Sequence, residues 1–369
     1  MNDVSTVDAQ VPKVELLIDN RKNNFNALRL FAAVLVIYGH MHALLNISPF
    51  IIMGTNVSTI AVEIFFTISG FLICESWKRD PDFFRYTTRR AMRIIPGLIF
   101  VVLITAFIIG PIVTSLSTSE YFANARLYNY LKCILLNISY DLPGVFVTNP
   151  YPVAVNGSLW SLPVEVLMYV FVPILCIIGL KSKKMLRTFI VFTAIVIAAN
   201  LFRIWFAPDF RIVVYGMDVK NMLSLAPFFY IGSLFSFPQV RRLLNLQVAF
   251  AAILMAVLIS WPSYINEIVV YLVVPYSVMA FALTDVPLFH KIGSQNDYSY
   301  GLYLWGFLIQ QLTIWKLGPN FRGLNTYFAI SLIISYLCAV VSWHLIEKPA
   351  QKLSKILVRK MRTLQHSKS

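Results

Sequence analysis

Charge is scarce in this chain. Asp, Glu, Lys and Arg together make up 13% of its 369 residues, where soluble globular chains hold about a quarter. Acidic residues are the rarer half, 17 against 31 basic ones. So little charge over such a length excludes an ordinary water-facing surface. Cysteine is sparse too: Cys74, Cys133, Cys176 and Cys338 lack metal-like spacing and mostly lie in apolar runs. They point to buried thiols rather than a disulfide framework or a zinc site, and no metal is expected. Internal repeats and low-complexity tracts are missing. The first twenty-odd residues are polar, with Lys13, Arg21 and Lys22, so a cleaved signal peptide, whose apolar core would come earlier, is not expected.

What the chain has in abundance is apolar sequence, at 58% hydrophobic residues and 14% aromatics, with a mean hydropathy of +0.70. Apolar runs recur near the ~20 residues that cross a ~30 Å hydrocarbon core. They predict an all-α, polytopic membrane helix bundle of about ten transmembrane helices, at 26–46, 57–77, 94–116, 159–180, 186–206, 221–237, 246–263, 266–284, 298–317 and 325–346. With the N-terminus inside, 24 of the 31 Lys and Arg fall on the inner side. That bias explains the net charge of +14 without nucleic acid, and it predicts that both termini are cytoplasmic. Tyr121–Tyr140, with Arg126 and Lys132, reads as an outer amphipathic or half-inserted helix. The expected division is a polar cytoplasmic tail at 1–24, a membrane domain at 25–350 and a basic cytoplasmic tail at 351–369.

"RLFAAVLVIYGHMHALL", Arg29–Leu45, places ionisable groups where hydrocarbon penalises them. His40 lies ~16 Å beyond Arg29 and ~9 Å from the outer end of its span. It is either an interfacial histidine satisfied by a backbone carbonyl or a functional group, since intramembrane ionisable residues are functional candidates. His42, nearer the surface, reads as interfacial. Counted from Leu159 in "NGSLWSLPVEVLMYVF", Glu165 falls ~9 Å below the outer face, the depth of His40. A carboxylate there would orient the imidazole and raise its basicity. Glu63 falls at a similar level.

On the inner side, "FFRYTTRRAMRIIP" gathers Arg85, Arg89, Arg90 and Arg93. Arg89 and Arg93 share a helix face and Arg90 and Arg93 nearly do. Guanidinium forks suit phosphate oxygens, so with Arg29 these side chains predict a phosphate site; ordinary positive-inside charge is the plainer reading. Ser69 and Gly70 in "FFTISGFLI" suit close helix packing. Tyr300, Tyr303 and Trp305 open the ninth span, where an aromatic belt accounts for at least Tyr303. "IEKP", ending at Pro349, reads as a helix terminator. Asn-x-Ser matches at Asn46, Asn56, Asn137 and Asn156 are too common to use.

Taken in order, Arg29 with His40 eleven positions on, "EIFFTISGFLI", "RRAMRIIP", "SLWSLPVE", "SYGLYLW" and "IEKP" resemble the membrane acyltransferase-3 family, over about residues 25–350. The family includes O-acetyltransferases of bacterial O-antigen, capsule and exopolysaccharide. The resemblance implies acyl transfer, usually acetyl, from cytoplasmic acyl-CoA to a hydroxyl of a surface or lipid-linked glycan across the bacterial inner membrane. It implies His40 and Glu165 in catalysis, Arg29, Arg89, Arg90 and Arg93 at the acyl-CoA donor, and no permanently bound cofactor. Glu63, Ser69, Trp160, Ser161, Tyr300 and Trp305 are candidates for supporting roles. The family commonly has a serine where Pro163 stands and a histidine where Gly306 stands. Some members add a C-terminal esterase-like domain, which is not expected here. Rival readings are a transporter or flippase for a lipid-linked glycan, a different acyl group such as succinyl, a non-glycan acceptor, or a non-catalytic sensor on an enzyme scaffold.

Overall fold

A computed structural model of the chain describes residues 23–366 except 153, 260, 285, 294 and 295; the N-terminal tail expected at 1–24 lies almost wholly outside them. Helices occupy all ten predicted positions: α1 (Phe25–Leu44), α2 (Val57–Arg79), α3 (Phe83–Ile104), α4 (Ser161–Lys181), α5 (Met185–Phe206), α6 (Val219–Leu234), α7 (Leu246–Leu258), α8 (Ser263–Leu283), α9 (Ser299–Leu317) and α10 (Leu324–Ser342). Two-stranded hairpins, Ile51–Ile52 with Thr55–Asn56 and Val213–Val214 with Met217–Asp218, link α1 to α2 and α5 to α6. The protein is therefore an all-α polytopic membrane bundle. Among the described residues, seven helices are long and apolar enough to cross a membrane: α1 to α5, α8 and α10 with their continuations. The other three miss for identifiable reasons. α6 and α7 have 16 and 13 residues, while α9 spends its length on polar side chains such as Gln310 and Gln311.

Side-chain caps start several of these helices. Asn56 accepts from Ser58 N at 3.0 Å, Asp82 from Arg85 N at 2.8 Å, and Asp218 from Lys220 N at 2.9 Å, each satisfying an amide that the first turn leaves open. The Asp82 cap lets α3 begin at Phe83, so the arginine run lies on a helix rather than a loop.

Two π turns follow one pattern. Thr105–Ile109 extends α3 into Gly110–Val113, and Trp343–Glu347 extends α10 into α11 (Lys348–His366). Each stands just before a proline, Pro111 or Pro349, whose ring and missing N–H disrupt ordinary α hydrogen bonding. "IEKP" thus does not end a helix, as its proline predicted. The wider turn absorbs Pro349, and the stretch expected as a basic tail continues as α11. At the first π turn, Tyr121 donates to the Ala106 carbonyl at 2.8 Å. The Tyr121–Tyr140 segment itself forms short pieces, Thr118–Ala123, Ala125–Leu131 and Lys132–Leu135, none long enough to span.

The tightest crossing is α2 against α6. A Cβ on Gly70 would lie 1.8 Å from the Phe229 carbonyl oxygen, and one on Gly232 would lie 2.1 Å from that of Thr67. Both atoms are backbone, so the helices themselves would have to separate. Gly70→Ala should therefore destabilise the protein by about 1–3 kcal/mol, read as a lower unfolding midpoint in detergent. An unchanged midpoint would mean that the crossing is loose.

Candidate active site

The register between α1 and α2 fixes relative depth. Phe25 stacks on Phe71 with ring centroids 5.4 Å apart, and a Cβ on Gly39 would lie 2.6 Å from the Ser58 Cβ. The helices are antiparallel, with Arg29 level with the turn that holds Ser69 and His40 level with Val57. Arg29 and His40 are thus ~16 Å apart along the bundle.

At the Arg29 level a cavity of about 90 Å³ is lined by Arg29, Arg90, Arg93, Ser69, Ser161, Glu165, Tyr169, Tyr300 and Tyr303, among others. Glu165 is its focus. The Ser69 hydroxyl donates to Glu165 Oε1 at 2.5 Å, and the Tyr169 hydroxyl donates to the same oxygen at 2.5 Å. Both hydroxyl groups thus converge on one carboxylate oxygen. Ser161 Oγ lies 2.5 Å from the Tyr303 hydroxyl, which donates to the Ser158 carbonyl at 2.6 Å. Tyr300 donates to the Ile94 carbonyl at 2.7 Å, and its ring lies 5.7 Å from the Arg93 guanidinium.

This cavity adjoins a wider mouth of about 640 Å³ beside the α2–α3 connection, which shares Arg29, Arg90 and Arg93 with it. Seven cationic side chains line the mouth (Arg29, Arg79, Arg89, Arg90, Arg93, Lys355 and Arg362) against Glu75, Asp80 and Asp297. The carboxylates are shared. Asp297 meets Arg93 at 2.6 Å and Arg29 at 3.4 Å, while Asp80 meets Arg85 and Arg89 at 2.7 Å and Arg362 at 3.0 Å. Arg90 has no carboxylate partner among the described residues, and its buried Nε is unpaired, as are Nε and one Nη of Arg89. Both Asp80 and Asp297 are held well below the ordinary carboxylate range. Burial opposes this, but the guanidinium groups around each outweigh it. Carboxylates lowered in this way add stability that is complete above the ordinary carboxylate value and lost as pH falls through the lowered ones.

A cation-lined mouth narrowing to a half-buried carboxylate suits an anionic donor whose reacting end enters the bundle. The profile described as an acyltransferase domain matches residues 22–344. The chain belongs to the acyltransferase-3 family. It is similar to the O-acetyl transferase of Shigella phage Sf6, 29% identical over 339 residues that cover 89% of this chain and 96% of the relative. It also resembles Nodulation protein 10 of Rhizobium leguminosarum bv. viciae, 24% identical over 365 residues covering 91% and 95%. No solved structure matches it. The enzyme predicted from the motifs is thus established as a membrane acyltransferase of the O-acetyltransferase kind.

The acyltransferase does not pair His40 with Glu165. The depth count took α4 to start at the surface, but residues 141–160 fold into the bundle first. Asn149 donates to Gln311 Oε1 at 2.7 Å, Gln311 donates to the Ala154 carbonyl at 2.7 Å, and Asn156 donates to the Leu304 carbonyl, in the first third of α9, at 2.9 Å. α4 therefore begins deep, and Glu165 reaches the level of Ser69 and Arg29. His40 lines neither cavity; its ring meets Phe307 edge-on at 5.3 Å, and its Nδ1 has no partner. His42 is explained by a 2.6 Å contact from Nδ1 to the Ser48 carbonyl.

Of the other candidates, Arg29, Arg90, Arg93, Ser69, Ser161 and Tyr300 converge on the cavity. Ser69 faces the cavity and Gly70 makes the close helix contact, so the two neighbours divide the roles that were expected to be shared. Arg89 faces the mouth only. Trp305 lies outside both, against Phe100 at 5.9 Å, and Trp160 packs against the apolar core. Glu63 is buried away from the cavity, with Oε2 unpaired. Tyr303, assigned to an aromatic belt, is in the cavity instead. Tyr169, Asp80 and Asp297 went unmarked, although Tyr169 stands four residues after Glu165 and so shares its helix face.

Proposed function

We propose that the protein transfers an acetyl group from acetyl-CoA, bound at the arginine-lined mouth, to a hydroxyl of a lipid-linked or surface glycan on the opposite side of a bacterial inner membrane. The observation that carries this reading is the surplus of cationic side chains in the mouth together with the half-buried Glu165 in the adjoining cavity. Phosphates would take the guanidinium groups that Asp80 and Asp297 leave undercompensated, and the pantetheine arm would run past Ser69, Glu165 and Tyr169, carrying the thioester toward His40. Both termini would then be cytoplasmic, with ten helices embedded. His40 would stand on the acceptor side, its buried and unpartnered Nδ1 the group that would take the hydroxyl proton once the acceptor is seated. The name of the phage relative supports acetyl as the acyl group, and the motifs point to a glycan as acceptor.

The test is mass spectrometry of surface polysaccharide from cells with and without the protein, together with acetyl-CoA consumption by membranes. An acetyl mass increment that depends on the protein is the expected result. Glycan movement without acetyl-CoA consumption would instead identify a transporter. The donor site has its own check. Arg90→Ala, which removes a guanidinium with no carboxylate partner among the described residues, should weaken acetyl-CoA binding about tenfold or more by equilibrium binding in detergent. Binding equal to the wild type would reduce that arginine to a topology signal.

A further inference from the structure

Helix α11 sits where a tail was expected, and it forms one wall of the donor mouth. Gln351, Ser354, Lys355 and Arg362 all line that space. Its position is secured twice. At one end it continues α10 through the Trp343–Glu347 π turn; at the other, Arg362 meets Asp80 at 3.0 Å and Gln365 donates to Asp82 at 2.9 Å. Those two acids flank the connection into α3, so α11 is tied to the helix that carries Arg89, Arg90 and Arg93.

The wall is also unfinished in its polar contacts. Asp80 meets Arg85, Arg89 and Arg362 and Asp82 meets Arg85 as well, so two carboxylates face three guanidinium groups. Lys355 makes no ion pair among the described residues, and Gln351 Nε2 is buried without a partner. Across the whole mouth, cations outnumber acids by seven to three. A 3′-phosphoadenosine diphosphate group brings about four negative charges, enough to balance that surplus. Amide and guanidinium donors on one wall also match its phosphate oxygens and adenine edges.

We infer that α11 is part of the donor-binding site, with Gln351, Lys355 and Arg362 recognising the 3′-phosphoadenosine end of the acyl donor. The inference rests on the acetyl-CoA reading above. It divides recognition between two elements: the α3 arginines hold the part of the donor nearer the thioester, and α11 selects for the nucleotide. A donor that lacks the nucleotide loses only the second set of contacts.

The experiment compares acetyl-CoA, acetyl-dephospho-CoA and acetyl-4′-phosphopantetheine as ligands of the full-length protein in detergent. Wild type should bind acetyl-CoA about tenfold or more tightly than either shortened donor. Lys355→Gln with Arg362→Gln should bring the three within about twofold of one another and leave acetyl-4′-phosphopantetheine binding unchanged. Because Arg362 also ties α11 to Asp80, Lys355→Gln alone serves as the second variant and should lose part of the same preference without undocking the helix. Retention of the full preference in both variants, or equal weakening toward all three donors, overturns the role of α11. If that happens while Arg90→Ala still loses acetyl-CoA, the donor reading stands and only the inference falls. Failure of the wild type to bind acetyl-CoA at all overturns both.

Discussion

Substituting Glu165 by glutamine is expected to lower acetyl transfer roughly 10²- to 10⁴-fold, the range for loss of a positioned proton-transfer group. Glutamine keeps the size of the side chain and one acceptor oxygen, so the contacts from Ser69 and Tyr169 can persist. What it loses is the capacity to take a proton. The carboxylate lies in the narrow cavity beyond the arginines, so acetyl-CoA affinity should change little while turnover collapses. Measured on purified protein in vesicles, the signature is a fall in kcat with KM nearly constant. Activity near the wild-type level would show that the carboxylate only fastens α4 to α2. A parallel rise in KM would place it in donor binding instead.

A comparable loss is expected from His40→Ala, but with a different pattern. Because His40 stands ~16 Å from the level of Glu165, the two cannot share a proton through one hydrogen bond. An imidazole with an unpaired Nδ1 near the far end of α1 suits contact with the acceptor, so its removal should spare donor binding within about twofold and lower transfer to the glycan by 10²- to 10⁴-fold. Equilibrium binding of acetyl-CoA and glycan acetylation, measured on the same preparation, separate the two effects. If His40→Ala lost acetyl-CoA binding as Arg90→Ala should, the assignment of opposite ends would fail. Full glycan acetylation would return His40 to the interfacial reading.

The helices were legible because hydrocarbon imposes a period and a length, and the arginine cluster because four guanidinium groups within nine residues stand out against an apolar background. Arg29, Arg90 and Arg93 could be set together on charge logic alone. Depth was another matter. Glu165 was measured from an assumed surface, and the inward fold of residues 141–160 depends on amide contacts from Asn149, Asn156 and Gln311 whose partners lie up to 162 residues away. Helix rotation was equally hidden: Tyr303 and Trp305 are two residues apart, and only packing decides which faces the cavity. "IEKP" misled because a proline's local cost was visible and the π turn that absorbs it was not. Asp80 and Asp297 went unmarked because their arginine partners stand as far as 282 residues away in sequence, and only the fold gathers two or more of them on each carboxylate.

The π turn before Pro349 also sets angular phase. Such a turn holds one residue more than the α-helical turn it replaces, and each residue in an α-helix advances by about 100°. Without that extra residue, α11 would leave α10 rotated by roughly a quarter turn. Lys355 and Arg362 would then be turned about 100° out of line with the mouth, although every side chain would still be present. The chemistry of that wall thus depends on the number of residues in the turn at Trp343–Glu347 as much as on the residues that line it.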